Sequence, residues 1–221
     1  MKIIIFGTND FAELADFYLE KDSHQTRVAD RAEVVAFTVN KEYLKESSFR
    51  NKPVVAFEDI EKQFPPEQHF FFAPLASNKL RKTIFDQAKA KGYRFISYVS
   101  DKAAIFSNEI GENCFILEDN TIQPFVTIGN NVIMWSGNHI GHHSVIKDFV
   151  FFSSHVVLSG HCKVEPFSWF GVNSTIRDNL TIAEGTLVAM GACVTKNTEP
   201  WSIYMGTPAK KAEGKDSHEL L

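Results

Sequence analysis

"FILEDNTIQPFVTIGNNVIMWSGNHIGHHSVI", residues 115–146, decides how this chain folds. Its apolar residues follow neither the period of a helix nor the alternation of a strand. They recur every six positions. Counting by six from Ile110 gives Ile116, Ile122, Ile128, Met134, Ile140, Ile146, Phe152, Leu158, Val164, Phe170, Ile176, Ile182, Val188 and Val194, apolar at every step. Two places before many of these stands a small or β-branched residue, as at Val126, Val132, Ser144, Val156, Cys162, Ser174 and Ala192. Such a period fits a solenoid whose turns have three short flat faces, with the apolar residue aimed at the axis and a tight turn closing each face. Three hexads make one coil, no insertion breaks the register, and about five coils are expected. A sandwich of short strands would let the spacing drift.

The first hundred residues have a different grammar. Lys2–Phe6 is a short buried strand, Gly7-Thr8-Asn9-Asp10 is turn chemistry, and Phe11–Leu19 has apolar residues at helical spacing with Asp10 as its expected N-cap. Val34–Val39, Pro53–Phe57 and His69–Ala73 are further strands, and Asn78–Gly92 is a helix that ends at its glycine. Alternating strands and helices predict a parallel sheet. The expected organisation is therefore a Rossmann-like α/β unit over 1–100, an all-β solenoid over 101–211 and a polar C-terminal tail over 212–221.

The chain has 221 residues and a formal net charge of −4, which does not suggest nucleic acid or an anionic membrane as the main partner. It shows no secretory leader and no apolar run of bilayer length, and Cys114, Cys162 and Cys193 lack metal or redox spacing, so a cytoplasmic location is expected.

The hexads act as a ruler for the histidines, because residues 18 apart stack about 4.8 Å apart on one face. His142 falls at an outward turn with Gly160 above it, then Asp178 and Lys196. His143 stacks under His161, His139 under Val157, and His155 over Gly137. A zinc site needs imidazoles that converge on one ion. The spacing of these histidines does not reproduce that of the carbonic anhydrase type of β-helix enzyme, and no metal is expected.

The hexads, with "YMGTPAKK" (204–211) after them, resemble the left-handed β-helix acyltransferases. With the N-terminal α/β unit, the chain is similar to the sialic acid O-acetyltransferase-like sugar acyltransferases. Within these it looks most like the bacterial N-acetyltransferases of nucleotide-linked 4-amino-4,6-dideoxy sugars, as in bacillosamine and perosamine synthesis. "MKIIIFGTNDFAE" (1–13) also resembles the opening of methionyl-tRNA formyltransferase, but the downstream His-Pro-Ser-Leu-Leu-Pro stretch of that family is absent.

The acyltransferase resemblance implies an acyl-CoA co-substrate, a nucleotide-sugar acceptor, a homotrimer with sites between solenoids, and a place in surface polysaccharide or glycan synthesis. The family's base lies two residues after an inward aliphatic residue and shortly before a V-I-G-D-F segment. That position is His142, after Ile140 and before Val145-Ile146-Lys147-Asp148-Phe149. Many relatives carry an acid next; this chain has His143, so Asn138 or an acid from a neighbouring subunit is the expected orienting group. Where relatives carry a histidine against the acyl donor, Phe151 stands here, and with Trp135 and Trp169 it is expected either to line an acyl pocket or to pack between subunits. The resemblance places CoA along Phe151, Gly160, Val172, Met190 and Gly191, and the nucleotide-sugar at Gly7, Thr8, Asn9, Asp10, Val39, Asn40, Ala76 and Ser77. Gly7 alone does not make a dinucleotide fingerprint. Transfer to a sugar hydroxyl, and a non-catalytic scaffold, are the other readings.

Overall fold

A computed structural model of the chain describes residues 1–21, 32–107 and 109–220. They fall into two compact units, Met1–Tyr98 and Val99–Leu221.

The first unit is built on β1 (Lys2–Phe6), whose Ile3, Ile4 and Ile5 are wholly buried. A strand apolar on both faces belongs at the centre of a parallel sheet. It is followed by α1 (Asp10–Lys21), β2 (Glu33–Val39), β3 (Ser48–Phe49), β4 (Lys52–Ala56), β5 (His69–Phe72), α2 (Asn78–Ala90) and β6 (Arg94–Phe95). The sheet order is β3-β4-β2-β1-β5-β6, with β3 antiparallel to β4 and the other pairs parallel. Each expected strand and helix is present, displaced at its ends by no more than two residues except that Phe57 opens a 3-10 turn. Because β2 and β5 flank β1 on opposite sides, the loops after these strands meet at a crevice on the C-terminal edge of the sheet.

One expectation is corrected there. Asn9, not Asp10, caps α1: its Oδ1 accepts from the Ala12 N–H at 3.2 Å, and Asp10 is the first helical residue. The carboxylate still sits well in the first turn, where the helix dipole favours negative charge.

The second unit is a parallel β-helix of two-residue strands. Its first sheet stacks Tyr98–Val99, Phe115–Ile116, Ile133–Met134, Phe151–Phe152, Trp169–Phe170 and Leu187–Val188. The second stacks Ala104–Ile105, Thr121–Ile122, His139–Ile140, Val157–Leu158, Thr175–Ile176 and Cys193–Val194, and the third runs from Glu109–Ile110 to Thr181–Ile182. Partners from Glu109 to Val194 are 18 residues apart, as in Phe151 with Trp169. The axis residues from Ile116 to Val194 are all buried, with no more than 2% exposure, and Ile110 packs against them at the end. The hexads miss one turn. Thr121 pairs with Ala104, one residue short of the ruler, so a count from Ile110 passes over the first coil.

Every sixth residue from Asn113 to Gly191 has a left-handed backbone, with φ between 55° and 78°. These are the corners. Asn and Gly suit them, whereas Phe149, Phe167, His143 and His161 do so at a backbone cost. Ring stacking between successive coils offsets that cost, as for Phe149 on Phe167, 5.2 Å apart and 7° from parallel. Beside the corners, the small column residues satisfy buried backbone. Ser144 Oγ accepts from Cys162 N–H at 3.1 Å and Asn138 Oδ1 from Val156 N–H at 2.8 Å.

The expected tail is also corrected. Lys210–Asp216 is a strand antiparallel to Ser202–Met205, which itself extends the first sheet, so residues 212–216 are part of the solenoid's end. Leu221 lies outside the described residues.

Candidate functional site

His142 stands on the corner between the second and third sheets. Its backbone N–H donates to Gln123 Oε1 at 2.9 Å, and its Nδ1 lies 3.0 Å from Nδ1 of His143. His143 lies between Phe125 one coil below, tilted by 39°, and His161 one coil above, stacked at 13°, at centroid distances of 4.7 and 4.9 Å. His142 meets both other histidines edge-on, at 89°. Two Nδ1 atoms at hydrogen-bond distance share one proton: one ring donates and the other accepts. When His142 donates, its Nε2 carries a lone pair. That edge of the ring lies over Gly160, where an added Cβ would come within 2.9 Å of both Cε1 and Nε2.

The side chain at hydrogen-bond distance from His142 Nδ1 is therefore His143. Asn138 is committed elsewhere: it is buried, its Oδ1 is taken by Val156 N–H, and its amide donates to the Trp135 carbonyl. His139 lies along the second sheet between Thr121 and Val157, and His155 sits on another corner over Gly137. The convergent set is His142, His143 and His161, each of which offers one ring nitrogen within 4.8 Å of the others'. Gln123 and Phe125 were not singled out from the sequence, although the 18-residue ruler from His143 points to Phe125. Cys162 follows His161 and is buried, which pushes its thiol above the ordinary value and disfavours the thiolate.

The residues expected along CoA divide. Gly160 adjoins His142. Val172, Met190 and Gly191 share a different corner, between the first and second sheets, where Met190 is 78% exposed and a side chain on Gly191 would meet open space. Phe151 is on the first sheet, buried beneath Trp169 at a ring distance of 3.8 Å, and Trp135 sits on the corner that follows that sheet. Within one chain these groups are not brought together.

In the first unit, Gly7, Thr8, Asn9 and Asp10 follow β1, Val39 and Asn40 end β2, and Ala76 and Ser77 precede α2, all at the C-terminal edge of the sheet. Gly7 takes φ of 113° and donates to the Thr38 carbonyl at 2.8 Å. The buried Arg81 donates to the carbonyls of Leu75 and Ala76, which fixes that loop, and Ser77 Oγ caps α2 through Leu80 N–H. Thr8 and Val39 line a cleft of about 260 Å³ with Tyr43, Lys45, Ser48 and Phe49. These last four escaped the sequence reading, because they belong to a polar loop and a two-residue strand without periodicity. The hairpin that carries Ser48 and Phe49 is pinned to α1 by the buried Asp16, which accepts from Arg50 Nε at 2.5 Å and Lys52 Nζ at 2.9 Å.

Repeat and coil define a parallel β-helix with a six-residue period, with an added α/β unit. The family described as bacterial transferase hexapeptide (six repeats) matches residues 109–142. Perosamine N-acetyltransferase from Caulobacter crescentus, solved as a histidine-to-asparagine variant with CoA and GDP-perosamine, is similar in fold. The TM-score is 0.84 at 18% identity, over 96% of this chain and 97% of that one. The acetyltransferase domain of PglB from Neisseria gonorrhoeae FA1090 gives 0.82 at 18% identity, over 96% and 99%. These likenesses establish the left-handed β-helix fold. Among curated sequences, the acyl-[acyl-carrier-protein]–UDP-N-acetylglucosamine O-acyltransferase of Sinorhizobium fredii is 24% identical over 106 residues, 45% of this chain and 39% of that protein. The chain spans less than half the length of the curated relatives it matches. No helix among the described residues is long and apolar enough to cross a membrane.

Proposed function

We propose that the chain transfers an acyl group, acetyl in the simplest case, from acyl-CoA to the amino group of a nucleotide-linked amino-deoxy sugar. The observation that carries this reading is His142, a corner imidazole tied at Nδ1 to His143 with its Nε2 edge against the side-chain-free Gly160. The acceptor nitrogen attacks the thioester carbonyl, a C–N bond forms, and His142 Nε2 takes the proton the amine loses. Collapse of the tetrahedral intermediate breaks the C–S bond, and the leaving thiolate takes that proton back. A backbone N–H beside the site stabilises the oxyanion.

The CoA-bound and GDP-perosamine-bound structures of like fold support both substrate classes. The cleft at Thr8 and Val39 suits the nucleotide, with Tyr43 and Phe49 as apolar walls and Lys45, beside the Glu46 carboxylate, as a cation for phosphate. Because the base and the Val172–Met190 corner are separate in one chain, the site is completed between copies in a homotrimer. The reaction belongs in the cytoplasm, in the supply of sugars for surface polysaccharide or glycan.

The test is a panel of UDP-, GDP- and dTDP-linked amino sugars with acetyl-CoA, read as thiol release and product mass. Acetylation of an amine supports the reading. Acetylation of hydroxyls alone would make it an O-acyltransferase. Release with none of the acceptors, in protein that binds CoA, would leave a scaffold.

A further inference from the structure

Three histidines converging at a catalytic corner suit something other than proton transfer. We propose that His142, His143 and His161 form a site for a divalent transition-metal ion of the Ni²⁺, Cu²⁺ or Zn²⁺ type, and that its occupation switches the enzyme off.

The ligands are held from two coils. His143 and His161 occupy left-handed corners with φ of 58° and 57°, and His161 N–H donates to the His142 carbonyl at 2.9 Å. Backbone geometry therefore fixes where all three side chains start. They are exposed, so an ion can reach them, and neutral imidazole nitrogens are the donors that borderline metals select. The 3.0 Å between the two Nδ1 atoms is informative. Metal–nitrogen bonds of about 2.1 Å to atoms that far apart enclose an angle near 90°, as at cis positions of an octahedral or tetragonal ion. A tetrahedral Zn²⁺ would need the pair opened by only a few tenths of an ångström. His161 supplies the third nitrogen and water the remaining positions.

The consequence for catalysis rests on His142 being the base. In the free protein the shared proton lies between the two Nδ1 atoms. A metal bound there needs both lone pairs, so the proton of His142 moves from Nδ1 to Nε2. No proton is lost, but Nε2 becomes a donor and can no longer accept from the attacking amine. The metal thus sets the wrong tautomer without covering the acceptor.

The experiment uses tag-free, chelator-treated full-length protein titrated with Ni²⁺ and Zn²⁺ by calorimetry, beside His161→Asn. Asparagine suits the left-handed corner, and His161 is outside the proton path. The expectation is one site per chain, weakened about tenfold or more in His161→Asn, with inhibition by Ni²⁺, read for each protein against its own metal-free turnover, shifted by the same factor. Equal affinity in both proteins overturns the three-histidine site. Tight binding without inhibition of an active enzyme overturns the tautomer switch. If no acceptor is acetylated, the calorimetry still decides the site, so failure of the metal site and failure of the acyltransferase reading are told apart.

Discussion

At the scale of single residues, the arrangement separates position from partner. His142→Asn should keep CoA affinity and lower kcat by about 10²–10⁴, the usual worth of a general base; steady-state kinetics with direct CoA titration checks this, and full activity in the variant removes the assignment. Gly160 offers a second probe that leaves the imidazole in place. A Cβ there would press to 2.9 Å on Cε1 and Nε2 of His142. The ring is the part that yields, so Gly160→Ala should fold normally and lose about tenfold or more in kcat through misplacement of the base. Unchanged kcat would mean that Nε2 does not work over that glycine. The sequence made His142 and its neighbours in the stack legible because an 18-residue coil turns numbering into geometry. It did not reveal that His143 turns its Nδ1 toward His142, since a side-chain rotamer at a left-handed corner has no signature in spacing. The expected role of Asn138 failed for a related reason: its column is buried, and the Val156 N–H claims its oxygen.

At the scale of elements, the hexad is legible because one constraint repeats. Each two-residue strand sends its second side chain to the axis, and there is room for one apolar group per face. Ile146 and Ile176 each fill such a place, with 1% and 0% exposure. Truncation of either to alanine should cost about 2–5 kcal/mol, the range for a large-to-small change in a packed core. Urea unfolding gives the value, and a loss below about 0.5 kcal/mol at both would mean that the axis is misassigned. The elements that escaped the sequence are those where the repeat defers to something else. The coil opening at Tyr98–Val99 and Ala104–Ile105 is shortened by one residue, and Lys210–Asp216 is a polar strand that pairs at the edge instead of filling the axis. In the α/β unit the strands were visible as apolar runs, but the cap passed from Asp10 to Asn9, a choice between neighbours that composition does not make.

At the scale of the whole molecule, the distribution of site residues over the solenoid argues for assembly. His142 and Gly160 occupy one corner, while the exposed apolar Val172 and Met190, 41% and 78% accessible, occupy another with Gly191. If CoA touches both groups, two copies must supply them, one corner each, as a cyclic trimer with heterologous contacts allows. Light scattering should give a trimer; a 25.0 kDa monomer at micromolar concentration would remove the shared site. A sharper measurement uses two variants expected to be inactive alone. His142→Asn spoils one corner. Val172→Glu spoils the other by setting a carboxylate against an anionic co-substrate, at an exposed position that folding does not need. If each site draws one corner from each of two chains, a site is intact only when a Val172→Glu chain supplies the base and a His142→Asn chain supplies the other corner. Co-expression in equal amounts with random assembly makes that about one site in four, so the mixture should recover about a quarter of wild-type activity. A site contained in one chain would recover none, because every chain then carries its own defect. Activity of the mixture no greater than the sum of the two variants would overturn the intersubunit site even if the protein proved trimeric.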